Sequence, residues 1–333
     1  RLLSGHSLIY PGTYRLHDRG ARKSGCRNVL QGRIMTNILG KSEKRFQVII
    51  HIILIFMALA AILPLWVLVA GSVTGEQELI LKGYSLMPMT FSLDAYKYLF
   101  YKASEIFRAY GITVFITVVG TAASLFITPL LAYPLSRKDF KARNIFSFLV
   151  FFTMLFNGGI VPSYIMWTRI FHLKNTITAL ILPGLLMNGF NVILMKNYFA
   201  QNIPAELIEA AKMDGAGEFK IFFKMILPLS LPIMATVGLF VGIGYWNDWT
   251  NGLYYVTDAK LYSLQNLLNR ILQDVQFLNS STMTNAGVAA TTQMPSVSIR
   301  MAISVVGILP IMVLYPFFQK YFVKGIAVGA VKG

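Results

Sequence analysis

The sequence predicts an all-α integral membrane protein: six transmembrane helices with a cytoplasmic helix-turn-helix loop. Three observations carry that reading. The composition is too apolar for a fold coated by water, six apolar runs reach membrane-crossing length, and one compact amphipathic insert separates the fourth run from the fifth. Of 333 residues, 55% are hydrophobic and 13% charged, where an ordinary soluble domain carries about 25% charged residues.

A crossing helix needs about 20 predominantly apolar residues to span about 30 Å of hydrocarbon. The six runs are Val48–Val73, Tyr110–Leu135, Ile145–Trp167, Thr176–Met195, Leu229–Trp249 and Ile299–Phe322. Several hold Pro or Gly inside (Pro64, Pro129, Gly158, Gly159, Pro183, Pro310), which helix bundles in lipid tolerate better than soluble helices do. Arg300 stands near the start of the sixth run, where a long side chain reaches the interface.

Lys and Arg set the orientation. Most of the 30 basic residues fall in alternate segments: residues 1–45, the short Arg137, Lys138, Lys141, Arg143 loop, the insert with Lys196, Lys212, Lys220 and Lys224, and the tail with Lys320, Lys324 and Lys332. Positive charge marks the cytoplasmic side, most strongly in short loops. Both termini are therefore expected in the cytoplasm. The chain reads as a basic cytoplasmic segment, 1–45, followed by a transmembrane domain, 46–333. Residues 1–34 are basic and lack the apolar core of a signal peptide; the expected translation start is Met35.

Two outer segments are long. In residues 74–109, polar turns around Ser92 and Asp94 precede an amphipathic stretch with Tyr96, Leu99 and Phe100. In residues 250–298, Leu264, Leu267, Leu268 and Ile271 recur at helical spacing and predict a short helix on the outer face. Packing and contact with an external partner both fit that stripe.

The insert reads Pro204-Ala-Glu-Leu-Ile-Glu-Ala-Ala-Lys-Met-Asp-Gly-Ala-Gly217 and continues to Pro228. Pro204 suits a first helical position and Glu206 the positive end of a helix. Leu207, Ala210, Ala211 and Asp214 share one face, and Asp214-Gly215 supplies a turn. A second helix is predicted to place Phe219, Phe222, Phe223 and Ile226 together, away from Lys220 and Lys224. Docking into another protein and lying on lipid headgroups both fit such a knob.

Glu209-Ala210-Ala211, Gly215 four residues on, and Leu227-Pro228, strengthened by Asp214-Gly215-Ala216, resemble the signature loop of the inner-membrane subunits of ABC importers. Met225 stands where that pattern usually has isoleucine. The resemblance runs from about Phe46 to Gly333. Tyr245-Trp246-Asn247-Asp248-Trp249 looks like the carbohydrate-uptake branch, and Tyr315–Phe322 with the Gly329–Gly333 end looks like its oligosaccharide and polysaccharide-fragment permeases. The resemblance implies that loop 202–228 is the coupling element, with Glu209, Ala210, Ala211, Asp214, Gly215 and Ala216 facing an ATPase subunit. It also implies a bacterial inner-membrane location, two ATPase copies carrying ATP and Mg, a paralogous second permease, an extracytoplasmic solute-binding protein and a sugar substrate. No cofactor is expected on this chain.

Sugars are held by amides, hydroxyls and aromatic faces, and polar groups inside spans turn to the bundle interior. The expected passage lining is Asn157 and Tyr164, seven apart on one face of the third run; Asn188 and Asn191 on one face of the fourth; and Tyr245, Trp246, Asn247 and Asp248 at the outer end of the fifth. Glue between helices is the competing role for the asparagines.

Other classes fit poorly. The basic residues lie between apolar runs rather than in a basic, aromatic-rich module, so no nucleic acid is expected. Cys26 is the sole cysteine, and His6, His17, His51 and His172 are scattered, so neither a disulfide nor a zinc site is predicted. Gly40-Lys41-Ser42 lacks the glycine that a phosphate loop needs at position 35, and Gly215-Ala-Gly217 opens no dinucleotide fold. An ion-coupled secondary transporter would show repeats and buried ionisable groups; His51 alone lies deep in a run. A membrane enzyme would need clustered nucleophiles or acid–base pairs, and the sequence offers none.

Overall fold

The computed structural model describes residues 41–88, 90–284 and 297–330. Almost all of the basic segment, Met35 and Cys26 included, lies outside them. The chain divides into two compact units, Arg1–Leu65 and Trp66–Gly333. Among the described residues the structure is helical apart from an isolated bridge between Thr74 and Phe91.

Helix α1 (Lys41–Ser72) runs through the boundary of the two units. Within the first unit, Phe46, Ile53, Phe56 and Leu59 are all exposed, an apolar surface suited to lipid. His51 donates its ring Nδ1–H to the carbonyl of Gln47 at 2.6 Å.

In the second unit, α2 (Glu76–Lys82) and α3 (Asp94–Tyr101) precede α4 (Ala103–Ser136). Helix α3 buries Ala95 and Leu99 but leaves Phe100 exposed, so its amphipathic face is narrower than expected. At 34 residues, α4 is about 51 Å long. Its buried side carries Ile106, Ala109, Thr113, Ile116, Gly120, Ser124 and Thr128 at three- and four-residue steps. Small residues there let another helix approach closely.

The third apolar run is two helices. α5 (Arg143–Leu155) and α6 (Ile160–Ile170) meet at 111°. The break has a local cause: Gly159 sits at φ +83°, a conformation open chiefly to glycine, and its N–H bonds the Asn157 side-chain oxygen at 2.9 Å. Asn157 and Tyr164 therefore do not share a helical face. The fourth run is also interrupted. α7 (Thr178–Ile181) ends ahead of Pro183, and α8 (Gly189–Asn202) starts afresh on the Asn188 cap.

Next come α9 (Ala205–Met213), α10 (Glu218–Leu229), α11 (Leu231–Asn247), α12 (Thr250–Tyr255), α13 (Leu264–Thr284) and α14 (Val297–Ala330). Helices α10 and α11 bend by 79° at buried Ser230, whose hydroxyl donates to the Ile226 carbonyl at 2.6 Å. α13 is a helix of 21 residues rather than a short one. Its Leu264, Leu267, Leu268 and Ile271 are all buried, so the stripe packs inward.

Two helices among the described residues, Arg45–Ser72 and Ala103–Ser136, are long and apolar enough to cross a bilayer, and the two bent pairs raise the number to four. The sixth run lies in α14, whose Val297–Val313 stretch is apolar.

Candidate functional site

The α9–α10 hairpin is built as a turn between two short helices. Pro204 is extended at φ −60° and ψ 137° and caps α9 from outside, one position before its expected place. Asp214 closes α9, Gly215 takes φ +76°, and the Ala216 N–H bonds the Ala211 carbonyl at 2.9 Å. That positive φ is strained for a residue with a Cβ. Gly217 then enters α10 in an extended conformation.

Each predicted face of the hairpin is divided between packed and free positions. Ile208, Ala211, Ile221, Phe222 and Ile226 are buried, whereas Leu207, Ala210, Phe219 and Phe223 are exposed. A wide π turn spans Phe222–Ile226. Pro228 has no N–H to return to the ladder, so the regular spacing cannot be kept there. Glu209, Asp214 and Gly215 are also exposed, and Ala216 is half-buried. The free surface thus carries apolar side chains among charges of both signs, with Met213 88% and Phe219 76% exposed.

A polar network ties the hairpin to the end of α4. The Arg137 Nε donates to Asp139 Oδ1 at 2.9 Å, and its Nη1 donates to the Tyr133 hydroxyl at 3.0 Å. Tyr133 in turn donates to Glu218 at 3.1 Å, and Lys212 pairs with Glu218 at 2.7 Å and with Asp139 at 3.5 Å. The Arg137 contact holds the Asp139 carboxyl down at about 2. Lys212 likewise lowers Glu218, and Glu218 raises Lys212. Beside this network lies a cleft of about 410 Å³ walled by Leu130, Phe140 and Phe222. None of these cross-links was legible in the sequence beyond the loop's basic character.

The expected passage residues do not converge on one cavity. Asn157 is exposed and holds the α5–α6 turn. Tyr164 stacks on Tyr255 at 6.0 Å with the rings 8° apart. Asn188 accepts the Phe190 N–H at 2.8 Å as the α8 cap, while Asn191 is buried. Tyr245 is wholly buried and donates its hydroxyl to the Ile181 carbonyl at 2.8 Å; Trp246, also buried, donates to the Gly307 carbonyl at 3.2 Å. Asp248 accepts the Thr250 and Asn251 N–H groups through Oδ1 at 3.1 and 3.2 Å. Asn247 is exposed on a cleft of about 330 Å³ shared with Trp249, Gln265 and Asn269. Gln265 and Asn269 escaped the sequence reading. The available signal was their i, i+4 spacing on α13, opposite much of its apolar stripe.

Residues 124–328 match the family described as the binding-protein-dependent transport system inner membrane component. The chain is 44% identical to Protein LplC of Bacillus subtilis, over 82% of this chain and 90% of that one. It is 41% identical to the polygalacturonan/rhamnogalacturonan transport system permease protein YtcP of Bacillus subtilis, over 87% of this chain and 99% of that one. Its fold matches a chain in the crystal structure of a bacterial ABC transporter involved in the import of the acidic polysaccharide alginate. That match has a TM-score of 0.68 at 30% identity and covers 85% of this chain and 98% of the other.

Proposed function

Because the chain belongs to the family of binding-protein-dependent transport system inner membrane components, we propose that its α9–α10 hairpin is the coupling element of a six-crossing oligosaccharide permease. The chain is a multi-pass permease subunit of an ABC sugar importer, and ATP is hydrolysed on a separate subunit. An ATPase, a solute-binding protein and a second permease are its partners. In the finer reading the second permease is a paralogue, the ATPase is present twice and carries ATP and Mg, and both termini of this chain lie in the cytoplasm. The sugar is an oligosaccharide or polysaccharide fragment, as the names of the transport proteins similar to it suggest.

The observation that carries the reading is the hairpin's divided surface. One side is tied to the end of α4 by the Phe222–Tyr133 ring contact and the Arg137–Asp139–Lys212–Glu218 network, while Leu207, Met213 and Phe219 stand free. Apolar side chains held out on a rigid knob are suited to a cleft in a partner. Motion reaches the spans because α10 continues through Ser230 into α11. Helix α11 in turn lies close on α4: a Cβ on Gly238 would come within 3.1 Å of Leu125, and one on Gly242 within 3.6 Å of Thr121.

Cysteine crosslinking of the assembled complex tests this. Ala210→Cys is expected to link to the ATPase subunit, and the link is expected to block sugar-stimulated hydrolysis. Labelling of that cysteine from outside intact cells would reject both the orientation and the coupling role.

A further inference from the structure

The end of α11 remote from the hairpin carries a second feature. Three carboxamides and an indole converge on the 330 Å³ cleft: Asn247 at the end of α11, Trp249 just ahead of α12, and Gln265 and Asn269 one turn apart on α13. Leu268 and Ile303 line it as well. Its volume falls within the usual range for small-ligand pockets, about 300–1,000 Å³.

Two properties narrow what it would hold. First, among the described residues no ionisable side chain lines the cleft. A carboxylate or phosphate would meet none of the cations that such groups demand when desolvated. Second, among the described residues no hydrogen bond occupies the side-chain amides of Asn247, Gln265 or Asn269. Amides that glue helices together are bonded to a neighbour; these three remain available. Each amide donates and accepts at once, which matches the paired hydroxyls of a sugar ring. Trp249, 44% exposed, offers an indole against the ring's C–H face. A lipid chain would leave the amides unsatisfied, at a cost for each buried group.

We propose that this cleft is a saccharide subsite, which holds one sugar ring through its hydroxyls and leaves any carboxylate that the ring bears outside the cleft. It rests on the importer reading above and adds the residues that meet the sugar. Its position at the far end of α11 puts it opposite the coupling hairpin, where a sugar enters rather than leaves.

The test uses the complete complex, with second permease, ATPase and solute-binding protein, reconstituted in liposomes. Raffinose and trigalacturonate are the neutral and acidic probes, each also prepared with a photoreactive diazirine. The imported probe is expected to label peptides containing Trp249 or Asn269, and the unlabelled sugar to compete. Gln265→Leu combined with Asn269→Leu is expected to slow uptake about tenfold, two hydrogen bonds' worth, with assembly unchanged. Stimulated hydrolysis and uptake that are indifferent to both substitutions, without labelling of the cleft, would overturn the subsite and leave the importer reading standing. Photolabelling of the second permease chain by a probe placed at Asn269 in the absence of sugar would show the cleft to be a subunit contact, and would also overturn it. If neither sugar stimulates hydrolysis in an assembled complex, the oligosaccharide reading falls and the subsite falls with it.

Discussion

Gly120 lies directly under the ring of Tyr245: a Cβ built on Gly120 would stand 2.3 Å from the Tyr245 Cζ. The tyrosine is wholly buried, and its hydroxyl reaches past α4 to the Ile181 carbonyl. Three helical segments (α4, α7 and α11) are thus pinned at one point. Gly120→Ala is expected to destabilise the protein by about 1–3 kcal/mol through overpacking. Tyr245→Phe should cost about 1 kcal/mol through the lost hydrogen bond and the stranded carbonyl. Thermal unfolding in detergent measures both. Combined with Tyr245→Leu, which opens the space, the Gly120→Ala penalty should shrink; strictly additive losses would show that the two residues do not compete for the same volume.

Glu76 caps α14 from a distance in sequence. Its carboxylate accepts the N–H groups of Val297 and Ser298 and the Ser298 hydroxyl, each at 2.8 Å. A charged acceptor at a helix start is stabilising twice over, by hydrogen bonding and by the helix dipole. Glu76→Ala is expected to cost about 1–2 kcal/mol and to raise amide hydrogen exchange over the first turn of α14. Unaltered exchange there would mean that the cap contributes nothing.

Gly215 is the turn of the hairpin at φ +76°. A side chain there costs roughly 1–2 kcal/mol in backbone strain, and a Cβ would meet no neighbour within 4 Å. Gly215→Ala should therefore loosen the turn without a clash, and Gly215→Pro should break it. Glu209→Lys reverses a charge on the free surface while leaving packing alone. Gly215→Pro and Glu209→Lys are expected to insert into the membrane normally and to lose sugar-stimulated hydrolysis. Full stimulation in either would reject the coupling role.

The Arg137–Asp139 contact implies a defined acid sensitivity. Asp139 is held at about 2, below the ordinary aspartate value of 3.8, so its contribution is present in full above about pH 4. It is lost as pH falls from there through about 2. More than half of the Asp139 side chain is exposed, so the loss is modest. Hydrogen exchange across residues 205–226 should stay flat from pH 7 to about pH 4, after correction for intrinsic rates, and rise below it. Asp139→Asn should shrink that step and leave the part that Glu218 carries.

The apolar runs announced apolar helices because hydrophobicity summed over a long window is indifferent to local breaks. For the same reason the breaks stayed hidden. Asn157, Gly158 and Gly159 interrupt the third run, and Pro183 and Gly184 the fourth, without lowering its mean apolarity enough to register. The hairpin's existence followed from Pro204, Asp214-Gly215 and the alanine pair, yet which positions of each face would pack was not legible, since a 3.6-residue period does not hold through the π turn at Phe222–Ile226. Tyr245 and Trp246 drew attention as polar aromatics in a membrane run. The structure gives each a backbone carbonyl from a distant segment, and sequence spacing carries no information on such partners.

The bend at Ser230 also sets a mechanical advantage. Helix α10, 12 residues from Glu218 to Leu229, is about 18 Å long, and α11, at 17 residues, is about 25 Å. As long as the joint keeps its 79°, the pair works as a crank whose output arm is about 1.4 times its input arm. If the hairpin is the coupling element proposed above, a small pull on it would swing Asn247 through a wider arc, and stiffening or softening that one joint would retune the stroke with the side-chain contacts at either end untouched.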